Sequence, residues 1–199
     1  MEFSREQVEN LINKYPYLIP RNAFTGKVSA SYDYSYVKGS DMNGWFKLVL
    51  LFCKNARPLL DKEDAVDKFW LIDIKEKWGM IEMYTNHPTE GEDLEDLICV
   101  YRRLSKYTCH ICGQPAKWRS CYWVEPWCDT CMVKHGEDCQ EEFVSIDKMR
   151  HRIKIERTIP NSKGKTKTIK RTVRIRKYWK EYLKCKDMSW NEFYEYLMK

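Results

Sequence analysis

No run of about 18 apolar residues, the length that crosses a membrane as a helix, occurs in this chain. The longest apolar stretch, Leu48 to Cys53, is far shorter and follows Lys47. The opening residues, Met1-Glu2-Phe3-Ser4-Arg5-Glu6, lack the basic and apolar regions of a secretory leader, so the expected compartment is the cytoplasm, where thiols stay reduced. Histidine is scarce, with four in 199 residues, and none falls between Gly113 and Trp127. That argues against a nuclease built on a zinc-braced ββα unit, which needs a catalytic histidine there. A deaminase-like His-x-Glu ahead of Pro-Cys-x-x-Cys is also missing; Glu125-Pro126-Trp127-Cys128 echoes it only in part. The eight glycines form no phosphate-cradling loop, and no Ser/His/Asp arrangement stands out. The expectation is a non-enzymatic protein.

Cysteine, by contrast, is abundant, with nine residues. Cys109-His110-Ile111-Cys112 is followed after fifteen residues by Cys128-Asp129-Thr130-Cys131. Each Cys-x-x-Cys turn aims two thiolates at one ion, and the segment between can fold back as a hairpin to complete a tetrahedron. Cys109, Cys112, Cys128 and Cys131 are therefore the predicted ligands of a structural Zn2+. Gly113 follows the second ligand, where a positive φ is commonly needed. Trp118, Tyr122, Trp123 and Trp127 are expected to cover the hairpin, which has too few aliphatic residues to fold without metal. Cys121, Cys139, His110 and His135 are spare candidate ligands. Four thiolates close a zinc site and quench its Lewis acidity, so the ion is read as a scaffold.

The net charge of +6 hides an asymmetry. From Arg152 to Lys199 there are fifteen Lys/Arg against five Asp/Glu, a surplus of ten, which leaves the remainder mildly acidic. A basic C-terminal part predicts an acidic partner, either nucleic acid or an acidic or nucleic-acid-binding host protein.

The pattern along the chain predicts an α+β fold. Ser4-Arg5-Glu6-Gln7 is a capping box that opens a helix carrying Val8, Leu11 and Ile12, and Pro16 and Pro20 close it. Tyr32, Tyr34 and Tyr36 alternate with Ser31, Asp33 and Ser35 in a loop or edge strand. An N-cap cluster, Asp41 to Trp45, leads into an apolar helix expected to end near Pro58. Phe69 to Lys75 and Met80 to Tyr84 form a hairpin around Glu76-Lys77-Trp78-Gly79. The next helix places Leu94, Leu97, Ile98, Tyr101 and Leu104 on one stripe. Acids at its start and Arg102, Arg103 and Lys106 at its end complement the helix dipole. It runs directly into Cys109.

The series Gly44-Trp45, Ile74-Lys75-Glu76-Lys77-Trp78-Gly79 with Tyr84, a helix, and Cys-x-x-Cys-Gly-x-Pro before a second Cys-x-x-Cys resembles a group of small uncharacterised bacteriophage and prophage proteins. The resemblance covers about residues 40 to 135. It implies a phage origin and a host-cell setting.

In the last third, Arg152 to Ile159 alternates with isoleucines at 153, 155 and 159, and Ile169, Val173 and Ile175 repeat the pattern after a Pro/Asn/Ser/Gly loop. The outward face of this hairpin presents Arg152, Lys154, Lys170, Arg174 and Arg176, with Lys163, Lys165 and Lys167 at the tip. Lys177, Tyr178 and Trp179 follow, and the two rings could stack on bases. Ser189-Trp190-Asn191-Glu192 is a second capping box, opening a last helix.

The expected organisation is a body over 1–107, a zinc-ribbon or treble-clef-like module over 108–140, and a basic hairpin with C-terminal helices over 141–199. The functional expectation is a zinc-stabilised nucleic-acid or nucleoprotein-binding protein of phage type. A phage inhibitor of a host defence protein, anti-CRISPR-like or otherwise anti-defence, is the alternative. A metal-dependent nuclease using Asp73, Glu76 and Glu82 is the weaker one.

Overall fold

Helix α1 (Arg5–Lys14) begins with both halves of its capping box made: the Gln7 amide donates to Ser4 Oγ at 3.2 Å and the Ser4 amide to Gln7 Oε1 at 2.9 Å. The structure, a computed structural model, describes residues 3–19, 21–22, 24–28, 43–86, 92–138, 142–150, 152–160 and 166–199. Tyr32, Tyr34 and Tyr36 lie outside the described residues.

Helix α2 (Phe46–Lys62) is apolar nearly all round and becomes the centre of the core. Leu48, Leu50, Leu51, Phe52 and Leu60 are fully buried in it. It does not end near Pro58 as the sequence pattern predicted. Proline inside a helix costs about 3 kcal/mol through the lost amide and a carbonyl clash. Continuing past it buries Leu60, while Arg57 holds Asp61 at 2.9 Å one turn on and reaches the Lys14 carbonyl. The start of α2 differs too. Trp45 is its N-cap and no side chain caps it; the residues ahead form a short 3-10 turn, Asn43–Trp45.

Strands β1 (Leu71–Glu76) and β2 (Ile81–Thr85) pair antiparallel, with Glu76 opposite Ile81. Their turn has Trp78 at φ 56° and Gly79 at φ 70°, with Lys77 and Met80 exchanging backbone hydrogen bonds at 2.8 and 3.2 Å. Two consecutive positive φ values make this a type I′ turn, whose twist suits a hairpin. Helix α3 (Glu92–Ser105) packs Leu94, Leu97, Val100, Tyr101 and Leu104 into the same core.

The cysteine region adds a sheet in the order β4-β3-β5, from β3 (Trp118–Ser120), β4 (Pro126–Trp127) and β5 (Phe143–Ser145), with helix α4 (Asp129–Asp138) between the last two. Strands β6 (Arg152–Pro160) and β7 (Thr166–Arg174) form a long hairpin in continuous register from Arg152 opposite Arg174 to Pro160 opposite Thr166. Ile175 does not extend the strand alternation. It is the N-cap of α5 (Arg176–Cys185) and fully buried in the core. Helix α6 (Trp190–Met198) opens on the second capping box. Tyr182, Cys185, Phe193 and Leu197 join one core with α1, α2 and α3. The chain is thus α+β, and its C-terminal helices share the N-terminal core.

Candidate metal centre and basic surface

The first Cys-x-x-Cys turn is closed by the Gly113 amide donating to the Cys109 carbonyl at 3.0 Å and the Cys109 amide to the Gln114 carbonyl at 2.8 Å. Gly113 has φ 77°, the left-handed conformation its position demands. The second pair straddles the start of α4, with Cys128 just ahead of the helix and Cys131 in its first turn, which is the treble-clef arrangement of knuckle, hairpin and helix. The two halves are joined where the His110 amide donates to the Pro126 carbonyl at 3.0 Å.

The ligand atoms of Cys109, Cys112, Cys128 and Cys131 all lie within 4.8 Å of one another, and the Cys112 and Cys128 sulfurs are 3.6 Å apart. Four sulfurs tetrahedrally bound at about 2.3 Å would be roughly 3.8 Å apart, so the cluster fits a metal ion. Burial pushes the Cys109 thiol up to about 11 and, with neighbouring sulfurs, pushes Cys131 well above its ordinary value. At Cys128 burial also opposes ionisation, but hydrogen bonds from the Cys131 amide and the adjacent thiols outweigh it and lower the pKa. Ionising all four thiols in this space would need a cation to offset their repulsion.

Neither spare histidine enters this cluster. His110 packs at a steep angle against Trp127 at 4.4 Å and lies 3.6 Å from Glu125, and His135 stacks on the same indole at 4.4 Å. Cys121 is exposed and outside the cluster, and Cys139 lies outside the described residues. Trp127 is buried, and Trp118 is half-buried and donates to Asp129 at 2.8 Å. Tyr122 and Trp123 do not cover the hairpin: they stand 78% and 76% exposed at its turn. Val124 in that turn has φ 62°.

The centre is seated rigidly on the body. The Trp45 indole donates to the Thr108 carbonyl at 2.8 Å, the Tyr182 hydroxyl donates to the Gly113 carbonyl, and Gln114 reaches Asp187 at 2.7 Å. These contacts come from distant parts of the chain, and nothing in local sequence signals them.

On the β6–β7 hairpin, Ile153, Ile155, Arg171 and Val173 are the more covered positions, while Arg152, Lys154, Lys170 and Arg174 are exposed. Arg171 turns inward to Asp93 at 3.2 Å and Asp96 at 3.4 Å on α3, pinning the hairpin to the body. Lys170 pairs with Glu156 at 3.0 Å. Arg176 and Lys177 are exposed in the first turn of α5. Tyr178 and Trp179 are half-buried; Tyr178 meets Tyr101 at 5.9 Å and Trp179 stacks on Tyr182 at 5.5 Å. Lys163 and Lys165 lie outside the described residues, and Lys167 is placed by its backbone alone, opposite Ile159.

The carboxylates of the nuclease alternative do not converge. Asp73 pairs with Lys75, Glu76 accepts from the Gly79 amide at 2.6 Å, and Glu82 pairs with Arg102. Among the described residues, the four cysteines are the one group of three or more His, Cys, Asp or Glu side chains placed to hold a metal. Two basic features escaped the sequence reading: Arg103 with Arg150 beside the hairpin, and Lys106 with Arg119 beside Trp78. Scattered through three segments, they form no charge run. No family model, no curated protein and no solved structure matches this chain.

Proposed function

We propose that the chain is a zinc-stabilised nucleic-acid-binding protein that meets phosphates with the outer face of the β6–β7 hairpin and the start of α5. The observation that carries this reading is the register that sets Arg152 directly opposite Arg174, with Lys154 beside them on the same exposed face. Like charges directly opposite in a sheet oppose pairing. Arg176 and Lys177 sit at the positive end of a helix that has no acidic residue in its first turn, which is again unfavourable in isolation. A polyanion lying across this surface offsets both costs. Among the described residues the one ion pair on the outer face is Lys170 with Glu156.

Zinc suits four closely set thiols better than a hard cation does, and four thiolates would complete its coordination and leave no position for substrate. Its role is to hold the 109–131 region in shape. The setting consistent with free thiols is a reducing cytoplasm, that of the host if the chain is phage-encoded.

One observation favours the alternative of an inhibitor that grips a host defence protein: Tyr122 and Trp123 are exposed together, and such rings anchor protein interfaces. The test is capture of binding partners by tagged protein with and without nuclease treatment, alongside a mobility shift of DNA and RNA at near-physiological salt. Retardation of purified nucleic acid supports direct binding. No retardation, with one host protein retained after nuclease, supports the inhibitor.

A further inference from the structure

A half-enclosed cleft of about 300 Å3 lies between the β1–β2 turn, the end of α3 and the β3–β4 hairpin. Arg103, Lys106 and Arg119 line it, Trp78 and Val124 supply apolar surface, and Asp147 is the one carboxylate among its lining residues. The Arg103 Nε is buried and has no hydrogen-bond partner among the described residues, and its guanidinium carbon lies 5.6 Å from the Tyr107 ring centre. The Nε is shut off from the cleft, so an anion there would meet the rest of the guanidinium, which among the described residues has no carboxylate partner. Burial first, and then the neighbouring cations Arg103, Arg102 and Arg119, push Lys106 below its ordinary pKa.

The rim is aromatic. Trp78 is 69% exposed and held at φ 56°, and Val124 across from it is at φ 62°, a conformation that strains a β-branched residue. The two turns abut: a Cβ on Gly79 would lie 1.8 Å from the Val124 carbonyl oxygen. Arg103 also lines the neighbouring groove with Arg150, Arg152 and Lys154, so it stands between the cleft and the hairpin face.

We infer that this cleft takes an unpaired nucleotide of a single-stranded nucleic acid, with its phosphate on Arg103, Lys106 and Arg119 and its base against Trp78. The inference rests on the reading of the hairpin as a phosphate-binding face, and it adds a preference that the hairpin alone does not have. A duplex keeps its bases stacked inside, whereas a single strand can place one on an exposed indole beside an electropositive cleft.

The test compares fluorescence anisotropy of a labelled oligothymidylate with that of a duplex of equal length. The wild-type protein is expected to bind the single strand more tightly. Trp78→Asn tolerates the positive φ and removes the ring, and Arg119→Gln changes an exposed position on β3. Each is expected to weaken single-strand binding by about tenfold while leaving duplex binding within about twofold. Replacing Arg152, Lys154 and Arg174 with Gln should instead weaken both. Unchanged single-strand binding in the Trp78 and Arg119 variants, with loss in the hairpin variant, would overturn the cleft and leave the hairpin reading standing. No change in any variant would overturn both. Thymidine monophosphate binding as tightly as the oligonucleotide would overturn the strand as ligand, in favour of a free nucleotide.

Discussion

Gly44 lies against the backbone of Cys109 so closely that a Cβ at position 44 would stand 2.1 Å from the Cys109 carbonyl oxygen. The Gly44 amide meanwhile donates to the His110 carbonyl at 2.8 Å, just ahead of the turn that leads into α2. A hydrogen bond and a bare α-carbon together bring the central helix of the core into register with the first pair of cysteines. The cysteine cluster and the body are therefore one mechanical unit.

The first prediction follows from that contact. Gly44→Ala should cost about 3 kcal/mol, at the upper end of overpacking penalties, because the nearest atoms, of Cys109, His110 and Gly113, are all backbone and none can rotate away. Chemical denaturation of the metal-loaded protein measures it. A loss below about 0.5 kcal/mol would show that the two segments separate at little cost.

Tyr182 tests the same seat from the other side. Its hydroxyl donates to the Gly113 carbonyl from a fully buried ring. Tyr182→Phe keeps the packing but leaves that carbonyl without this donor, so a loss of about 1–3 kcal/mol is expected. Metal release monitored with a chromogenic chelator should also be faster. Unaltered release would confine Tyr182 to packing.

Removal of the metal should unfold residues around 109–131 before it unfolds the α-helical core. The region is short in aliphatic residues, whereas the first half of α2 is buried on nearly every side. Structural zinc sites contribute on the order of 10–16 kcal/mol of apparent binding energy shared with folding. Elemental analysis should find about one zinc per chain, and Cys128→Ser should abolish it. Hydrogen exchange after chelation should rise first in β3, β4 and α4.

Arg171→Met should loosen the hairpin without changing its own pairing. Asp96 is buried and would lose this cation, at a cost of about 1 kcal/mol given the half-exposed guanidinium. Faster amide exchange in β6 and β7, with α3 still protected, is the expected pattern.

Signals carried by near neighbours were legible in the sequence. Both capping boxes, the apolar stripe of α3 and the two cysteine pairs each depend on residues within about one turn of each other, and all appear in the structure. What escaped depends on distant partners. Pro58 reads as a stop, yet Leu60 beyond it is drawn into a core built from both ends of the chain. Arg171 reads as one more cation in a basic hairpin, yet the register turns it toward Asp93 and Asp96, acids whose place at the start of α3 by itself suits only the helix dipole. The composition around Tyr122 and Trp123 suggests a lid, but the turn at Val124 exposes both rings.

The central claim is that the outer face of the hairpin touches phosphates, and the dependence of binding on salt tests it most directly. Affinity for a DNA duplex would be measured over a range of potassium chloride for the wild type and for a variant with Arg152, Lys154 and Arg174 all changed to Gln. If all three side chains contact phosphates, the slope of log affinity against log salt should be shallower in the variant by about 2.7. Equal slopes and equal affinities would contradict the account and remove the hairpin face from it.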